Sequence, residues 1–260
     1  MSPTPDLRDH VAVVTGASSG LGRRLALDLA AAGATVTAIA RREQELSSLA
    51  KELRRATGAS GYAVCDVADA GDYREVLDRV QQQHGAVDVL VHTAGTERRV
   101  ATVDADLELY RRTMDTNFFS AVTGTLAVLP GMVERGHGYI VNTSSDQGRA
   151  PTPMVSAYSA SKAALAAFTE ATAYEVRDQG VHLHVLYPGW VPTPLGRSAV
   201  DGGMPMPPKV IRKTEHEVSR ATLRSLGSGR VEINVARLAA MAPIARTMVP
   251  RIYARELAGR

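Results

Sequence analysis

Tyr158 and Lys162 stand four residues apart in Ala157-Tyr158-Ser159-Ala160-Ser161-Lys162, and Ser145 precedes the tyrosine by thirteen residues. In a helix from Val155 to Val176, positions i and i+4 share a face, so phenol and ammonium would enter one cleft a turn apart. Such a pair can make a tyrosine acidic. Bringing a phenol from ~10 towards ~7 takes about 4 kcal/mol, and an ammonium about 4 Å away at an effective dielectric of ~20 supplies roughly that. The chemistry expected is proton exchange with a substrate oxygen.

A second constellation lies near the start of the chain. Thr15-Gly16-Ala17-Ser18-Ser19-Gly20-Leu21-Gly22 follows the apolar run Val11 to Val14 and opens a segment with helical apolar spacing from Leu21 to Ala32. Glycines there let the backbone turn tightly, approach a pyrophosphate and pack helix against sheet, while the helix N-terminus receives the anion. Gly16, Ser18, Ser19, Gly20, Leu21 and Gly22 are therefore candidates for nucleotide contacts.

Elements that could carry both constellations alternate along the chain. Strands are expected at Thr35 to Ala40, Gly61 to Val64, Val87 to His92, Tyr139 to Asn142 and His182 to Tyr187. Helices are expected at Glu43 to Ala56, Ala70 to His84, about Asp104 to Arg135 with a break near Asn117, and around Tyr158. Continuous apolar strands separated by helices imply one doubly wound parallel sheet of the Rossmann type, an α/β/α domain over residues 1–260. Ligands bind beyond the carboxyl ends of such strands, where Gly16 to Gly22, Asp66, Ala94-Gly95, Ser145 and Pro188-Gly189 all fall.

Composition narrows the classes. A hydrophobic fraction of 45% suits a sizeable core, and the formal charge of +3 is spread over arginine pairs without a dense basic tract, which argues against nucleic acid. One cysteine, Cys65, cannot form an internal disulfide, so a reducing compartment, the cytoplasm, is expected. No signal peptide is read at the N-terminus and no stretch is expected to span a bilayer. The sequon Asn142-Thr143-Ser144 falls at the end of a core strand and is read as accidental.

These motifs together resemble the short-chain dehydrogenase/reductase family, over roughly residues 8 to 195. The resemblance rests on Thr-Gly-x-x-x-Gly-x-Gly at 15 to 22, Asp66, Ala94-Gly95, Asn117, Ser145, Tyr-x-x-x-Lys at 158 to 162, and Pro188-Gly189 with Thr193. It implies that Tyr158 is the general acid of a reduction, that Lys162 lowers its pKa and bonds the nicotinamide ribose, and that Ser145 holds the substrate oxygen. It also implies that Asn117 distorts its helix to position a proton-relay water, with Ser144 structural. Asp66, with Val67 beside it, would border adenine, Ala94 and Gly95 the adenine ribose, and Pro188, Gly189, Val191 and Thr193 the nicotinamide.

Cofactor choice turns on Ala40-Arg41-Arg42. An acid at the end of the second strand would bond the ribose hydroxyls and repel a 2′-phosphate, whereas Ala40 followed by Arg41 favours NADP(H) over NAD(H). Arg42 either assists or faces water, and Ser18 could add a bond to the phosphate. The reading is an NADP(H)-dependent carbonyl reductase or alcohol dehydrogenase acting on a small molecule. Two alternatives are a relative using bound cofactor for epimerisation or dehydration, and a non-catalytic NADPH-sensing protein.

The chain departs from the family in places. His92-Thr93 replaces the Asn-Asn that many relatives carry; Thr93 can still bond backbone locally, and His92 is read as a strand-end histidine bonded to the neighbouring loop. His182 and His184 lack further ligand spacing and are read as packing residues, so no metal is expected. Residues 190–229, rich in proline and with a helix expected only from Glu215 to Leu226, have the composition of a substrate lid, and Met204, Met206 and Val210 suggest a hydrophobic substrate. Arg98 and Arg99 either meet an acidic group or are solvated.

The resemblance implies a homo-oligomer, a dimer or a tetramer, but the tail at 236–260 departs from the ending of tetramer-forming members, which counts against the usual tetramer. There Leu238, Met241, Ala245, Met248 and Ile252 form an amphipathic stripe among arginines. It docks on its own domain, on a partner subunit or on a membrane surface; Pro243 and Pro250 favour protein.

Overall fold

A computed structural model describes residues 6–258. Seven strands, all parallel, form one sheet in the order β3-β2-β1-β4-β5-β6-β7. They are β1 (Val11–Thr15), β2 (Thr35–Ala40), β3 (Gly61–Val64), β4 (Val89–His92), β5 (Gly138–Thr143), β6 (Val181–Tyr187) and β7 (Glu232–Asn234). The order reverses between β1 and β4, which opens a crevice at their carboxyl ends.

Helices cover both faces: α1 (Gly20–Ala31), α2 (Glu43–Ala56), α3 (Ala70–His84), α4 (Leu107–Met114), α5 (Ser120–Arg135), α6 (Asp146–Arg149), α7 (Ser156–Glu175), α8 (Pro194–Asp201), α9 (Glu215–Ser225), α10 (Ala242–Met248) and α11 (Pro250–Ala258). The core splits by sheet face, as side chains of period two require. Ala12, Val14, Val36 and Ala38 pack with Leu25, Leu29 and Leu49 from α1 and α2, while Val13, Ile39 and Leu90 pack with Tyr73, Leu77 and Met132 from α3 and α5.

The sheet begins later than expected at β4, because Asp88 turns its carboxylate to accept from Val11 N at 2.9 Å. The helix expected from Asp104 begins at Leu107, where Asp106 caps it by accepting from Leu109 N at 2.7 Å. It continues to Arg135 through a π-turn at Asp115–Phe119, so the break expected near Asn117 is a widened turn. This 29-residue run is long and apolar enough to cross a membrane, which corrects the expectation that no stretch is. In this fold α5 packs on α3 and the sheet.

The stretch expected to form a lid contains a helix that was not expected. Thr193 accepts from Gly196 N at 3.1 Å and Pro194 occupies the first turn, so α8 starts inside the proline-rich stretch.

Candidate active site

The crevice widens into a cavity of about 1490 Å³ that runs from the glycine-rich turn, past Ser145 and Tyr158, to the lid. The residues expected to contact nucleotide line it, as do Met204 and Met206; Val210 does not and is 56% exposed, and Asn117 sits behind the wall, 2% exposed.

At its nucleotide end, Gly16 adopts a left-handed φ of +68°, and a Cβ there would lie 2.7 Å from Ala94 N. Only glycine lets the turn after β1 lie against the Ala94-Gly95 loop. That loop is held by Thr93, whose hydroxyl donates to Thr15 O, so the local backbone bond expected of this residue is present. The N-terminus of α1 opens beside these groups, a cradle that fits a dinucleotide's pyrophosphate.

Arg42 is half exposed, yet its guanidinium is engaged. Its Nη2 donates to Ser18 Oγ at 2.8 Å and to Ser19 Oγ at 2.7 Å, which folds the guanidinium onto the glycine-rich turn. Arg41 reaches Asp66 Oδ2 at 3.5 Å across the mouth, and its side chain is 75% exposed. Two cations and two hydroxyls thus converge where an adenosine ribose would lie, without an acid from β2.

The reacting end is built on α7. Tyr158 and Lys162 are both buried and share the face turned towards β5. Lys162 Nζ donates to Thr143 O at 2.7 Å and stands 5.8 Å from the centroid of the Tyr158 ring. Ser144 Oγ donates to Lys162 O at 2.8 Å, the structural role expected of it. Ser145 caps α6, accepting from Gln147 N at 3.2 Å. Gly148 brings α6 against α7, since a Cβ there would meet Ala163 N at 2.9 Å, and this close packing sets the Ser145 hydroxyl beside the phenol.

The electrostatics correct the expectation for the phenol. Burial pushes the Tyr158 pKa up, the Glu97 carboxylate adds to the rise, and the Ser145 hydroxyl works against it. Burial also brings the Lys162 amine down to about 8. Desolvation outweighs the attraction estimated from spacing alone, because both groups leave water together. Near neutral pH the phenol holds its proton, the state a proton donor needs.

Asn117 lies in the π-turn. Its Oδ1 accepts from Thr96 N at 2.7 Å, and its Nδ2 donates to Thr96 O at 2.9 Å and to Ser161 Oγ at 3.0 Å. The widened turn presents the amide to the β4 loop and to α7 at once.

Other expectations are corrected or refined. His92 bonds not to a loop but to Asn142 Oδ1 at 2.7 Å and Tyr73 Oη at 3.1 Å, and burial lowers it to about 4. Asn142 is fully buried and donates to Thr169 Oγ1 at 2.9 Å, which leaves the sequon inaccessible. His184 is buried against Arg230 O at 2.6 Å and His182 stacks on Tyr139. Among the described residues no histidine, cysteine and acid cluster could hold a metal.

The tail docks on its own domain. Ala239, Ala242 and Tyr253 line the cavity, and Arg246 Nη1 donates to Arg149 O at 3.2 Å. The stripe faces outward instead: Leu238, Met241, Met248 and Ile252 are all more than half exposed. Sequence reasoning missed Thr143 O, the tail contribution and Glu97, a loop acid with no spacing signal.

The short chain dehydrogenase family model matches residues 10–202. The chain is 35% identical to "Dehydrogenase/reductase SDR family member 7B" of Bos taurus, covering 98% of this chain and 82% of that one. The Danio rerio protein of the same name is 34% identical, covering 98% and 87%. A short chain dehydrogenase from Mycobacterium paratuberculosis, solved bound to NAD, superposes with a TM-score of 0.79 at 26% identity, over 89% of this chain and 99% of that one. A short-chain type dehydrogenase/reductase from Mycobacterium marinum gives 0.79 at 29% identity, over 88% and 96%. With the glycine-rich turn, the tyrosine and lysine on one helix and the serine facing them, the chain belongs to the short-chain dehydrogenase family.

Proposed function

We propose that the protein is an NADP(H)-dependent carbonyl reductase, working in reverse as an alcohol dehydrogenase. The observation that carries this is the meeting of Tyr158, Lys162 and Ser145 in one cavity with the glycine-rich turn. Bound NADPH supplies a hydride to the carbonyl carbon. Tyr158 gives its proton to the carbonyl oxygen, which the Ser145 hydroxyl orients and stabilises as negative charge develops. Lys162, anchored by Thr143 O, keeps donors free for ribose hydroxyls and offsets the phenolate left behind. Asn117 fixes the loop and α7 relative to each other, so these groups are positioned before substrate arrives.

The preference for NADP(H) rests on Arg41, Arg42, Ser18 and Ser19 clustering with no acid on Ala40. A planar guanidinium suits a 2′-phosphate. The apolar lid, with Met204, Met206 and Ile211 on the cavity wall, suits a hydrophobic substrate. The cytoplasm is the proposed compartment, in keeping with the buried free thiol of Cys65. A homo-oligomer is proposed on the exposed Leu107, Phe119 and Leu126 of the long helical run.

NADPH consumption with a panel of ketones and aldehydes tests the reading. Sustained oxidation with at least one carbonyl compound is expected; none across the panel would overturn it.

A further inference from the structure

Glu97, on the loop after β4, lines the same cavity as Tyr158, and its charge acts on the phenol. Its Oε1 is sealed from solvent without a hydrogen-bond donor, and no protein group donates to either carboxylate oxygen among the described residues. The position is nevertheless fixed, because Asn117 clamps both main-chain groups of the preceding Thr96. The Arg99 charge acts on Glu97, but among the described residues the two form no ion pair, and Arg99 Nε is itself buried without an acceptor. Both side chains line the cavity that contains Tyr158.

A buried acceptor without a donor is costly, and a rigid one recurs where a ligand completes it. We infer that Glu97 is a specificity-determining residue, selecting substrates that carry a hydroxyl next to the reacting carbonyl. This rests on the carbonyl reductase reading. A substrate oxygen held by Ser145 and Tyr158 leaves the neighbouring carbon inside the cavity that Glu97 also lines, so a hydroxyl on that carbon can donate to the carboxylate. An ammonium in that place is disfavoured, since Arg99 and Lys162 share the cavity. Burial raises the Glu97 pKa, which suits a carboxyl that trades hydrogen bonds with a neutral alcohol rather than pairing with a cation. The substrate class is therefore α-hydroxyketones, and vicinal diols in the oxidising direction.

Matched probes read this out: 2-hydroxyacetophenone against acetophenone, with NADPH, in the full-length protein. The quantity measured is the ratio of their kcat/KM values, which cancels effects common to both ketones. In Glu97→Leu the ratio is expected to fall about tenfold or more, because the hydroxyl loses its acceptor. Glu97→Gln keeps an acceptor oxygen and should hold the ratio within about threefold of the unmodified protein. Thermal melting of both variants checks that they are folded. An equal fall for the two ketones in Glu97→Leu would make Glu97 a loop-shaping residue and overturn the inference while leaving the reductase reading intact. A failure of the unmodified protein to reduce either ketone or any other carbonyl compound would bring down the reductase reading and the inference with it.

Discussion

Asn117 grips the main chain of Thr96 at both ends of its amide, Oδ1 accepting from Thr96 N at 2.7 Å and Nδ2 donating to Thr96 O at 2.9 Å. One side chain thereby joins the π-turn to the loop that crosses the cleft. Replacing Asn117 with Ala removes two part-buried bonds to the Thr96 main chain and a buried one to Ser161 Oγ, and should cost about 1–2 kcal/mol of stability, read by urea denaturation. Turnover should fall more than this loss explains, because Ser161 and the loop lose their common tie. Unchanged turnover and stability would show that the clamp does not matter.

Tyr158→Phe removes the proposed proton donor and leaves the ring in place. Turnover is expected to drop about 10²- to 10⁴-fold, while NADPH affinity, followed by fluorescence titration, stays close to that of the unmodified protein. Near-normal turnover in this variant would exclude Tyr158 as the acid.

For the nucleotide, NADPH should bind appreciably tighter than NADH. Arg42→Ala is expected to weaken NADPH by about tenfold or more, the worth of a charge-assisted hydrogen bond, with little effect on NADH. Arg41→Ala should narrow the gap as well. Equal affinities for the two nucleotides in the unmodified protein would mean that the cluster around Ser18 serves another purpose.

Buried His92 and His184 both sit near a pKa of about 4, displaced by desolvation from 6.5. Unfolded chains bind more protons than folded ones between those values, so stability rises with pH across that window and is fully present above it. Each histidine should cost on the order of 2 kcal/mol at pH 5 relative to neutral pH. The check is the difference in unfolding free energy between pH 7 and pH 5, compared with His184→Gln. An identical difference in both proteins would remove His184 from the acid limb.

The pairing of Tyr158 and Lys162 on one helix face was legible in the sequence because its geometry is local. Four residues in a helix fix a shared face whatever surrounds them, and a glycine-rich turn between strand and helix carries its own structural context. The phenol's acidity was not legible, because it depends on how much water the fold removes from Tyr158 and Lys162 together. Glu97 was missed for a similar reason: its relation to Tyr158 is set by the crossover from β4 to α7, and no interval records it. The start of α8 was readable in Thr193-Pro194, a capping residue followed by a first-turn proline, but the surrounding prolines masked it. For the tail, periodicity marked the stripe of Leu238, Met248 and Ile252 correctly as one-sided. Which side meets protein is a tertiary decision, and it went to Ala239, Ala242 and Tyr253.

The placement of Tyr253 on the cavity wall gives synthesis a built-in order. A chain still on the ribosome has its glycine-rich turn, Ser145 and Tyr158 early, and can assemble the floor of the crevice from them. Its last wall arrives only when α11 has emerged, so the nascent protein holds a groove open to bulk water before it owns a chamber.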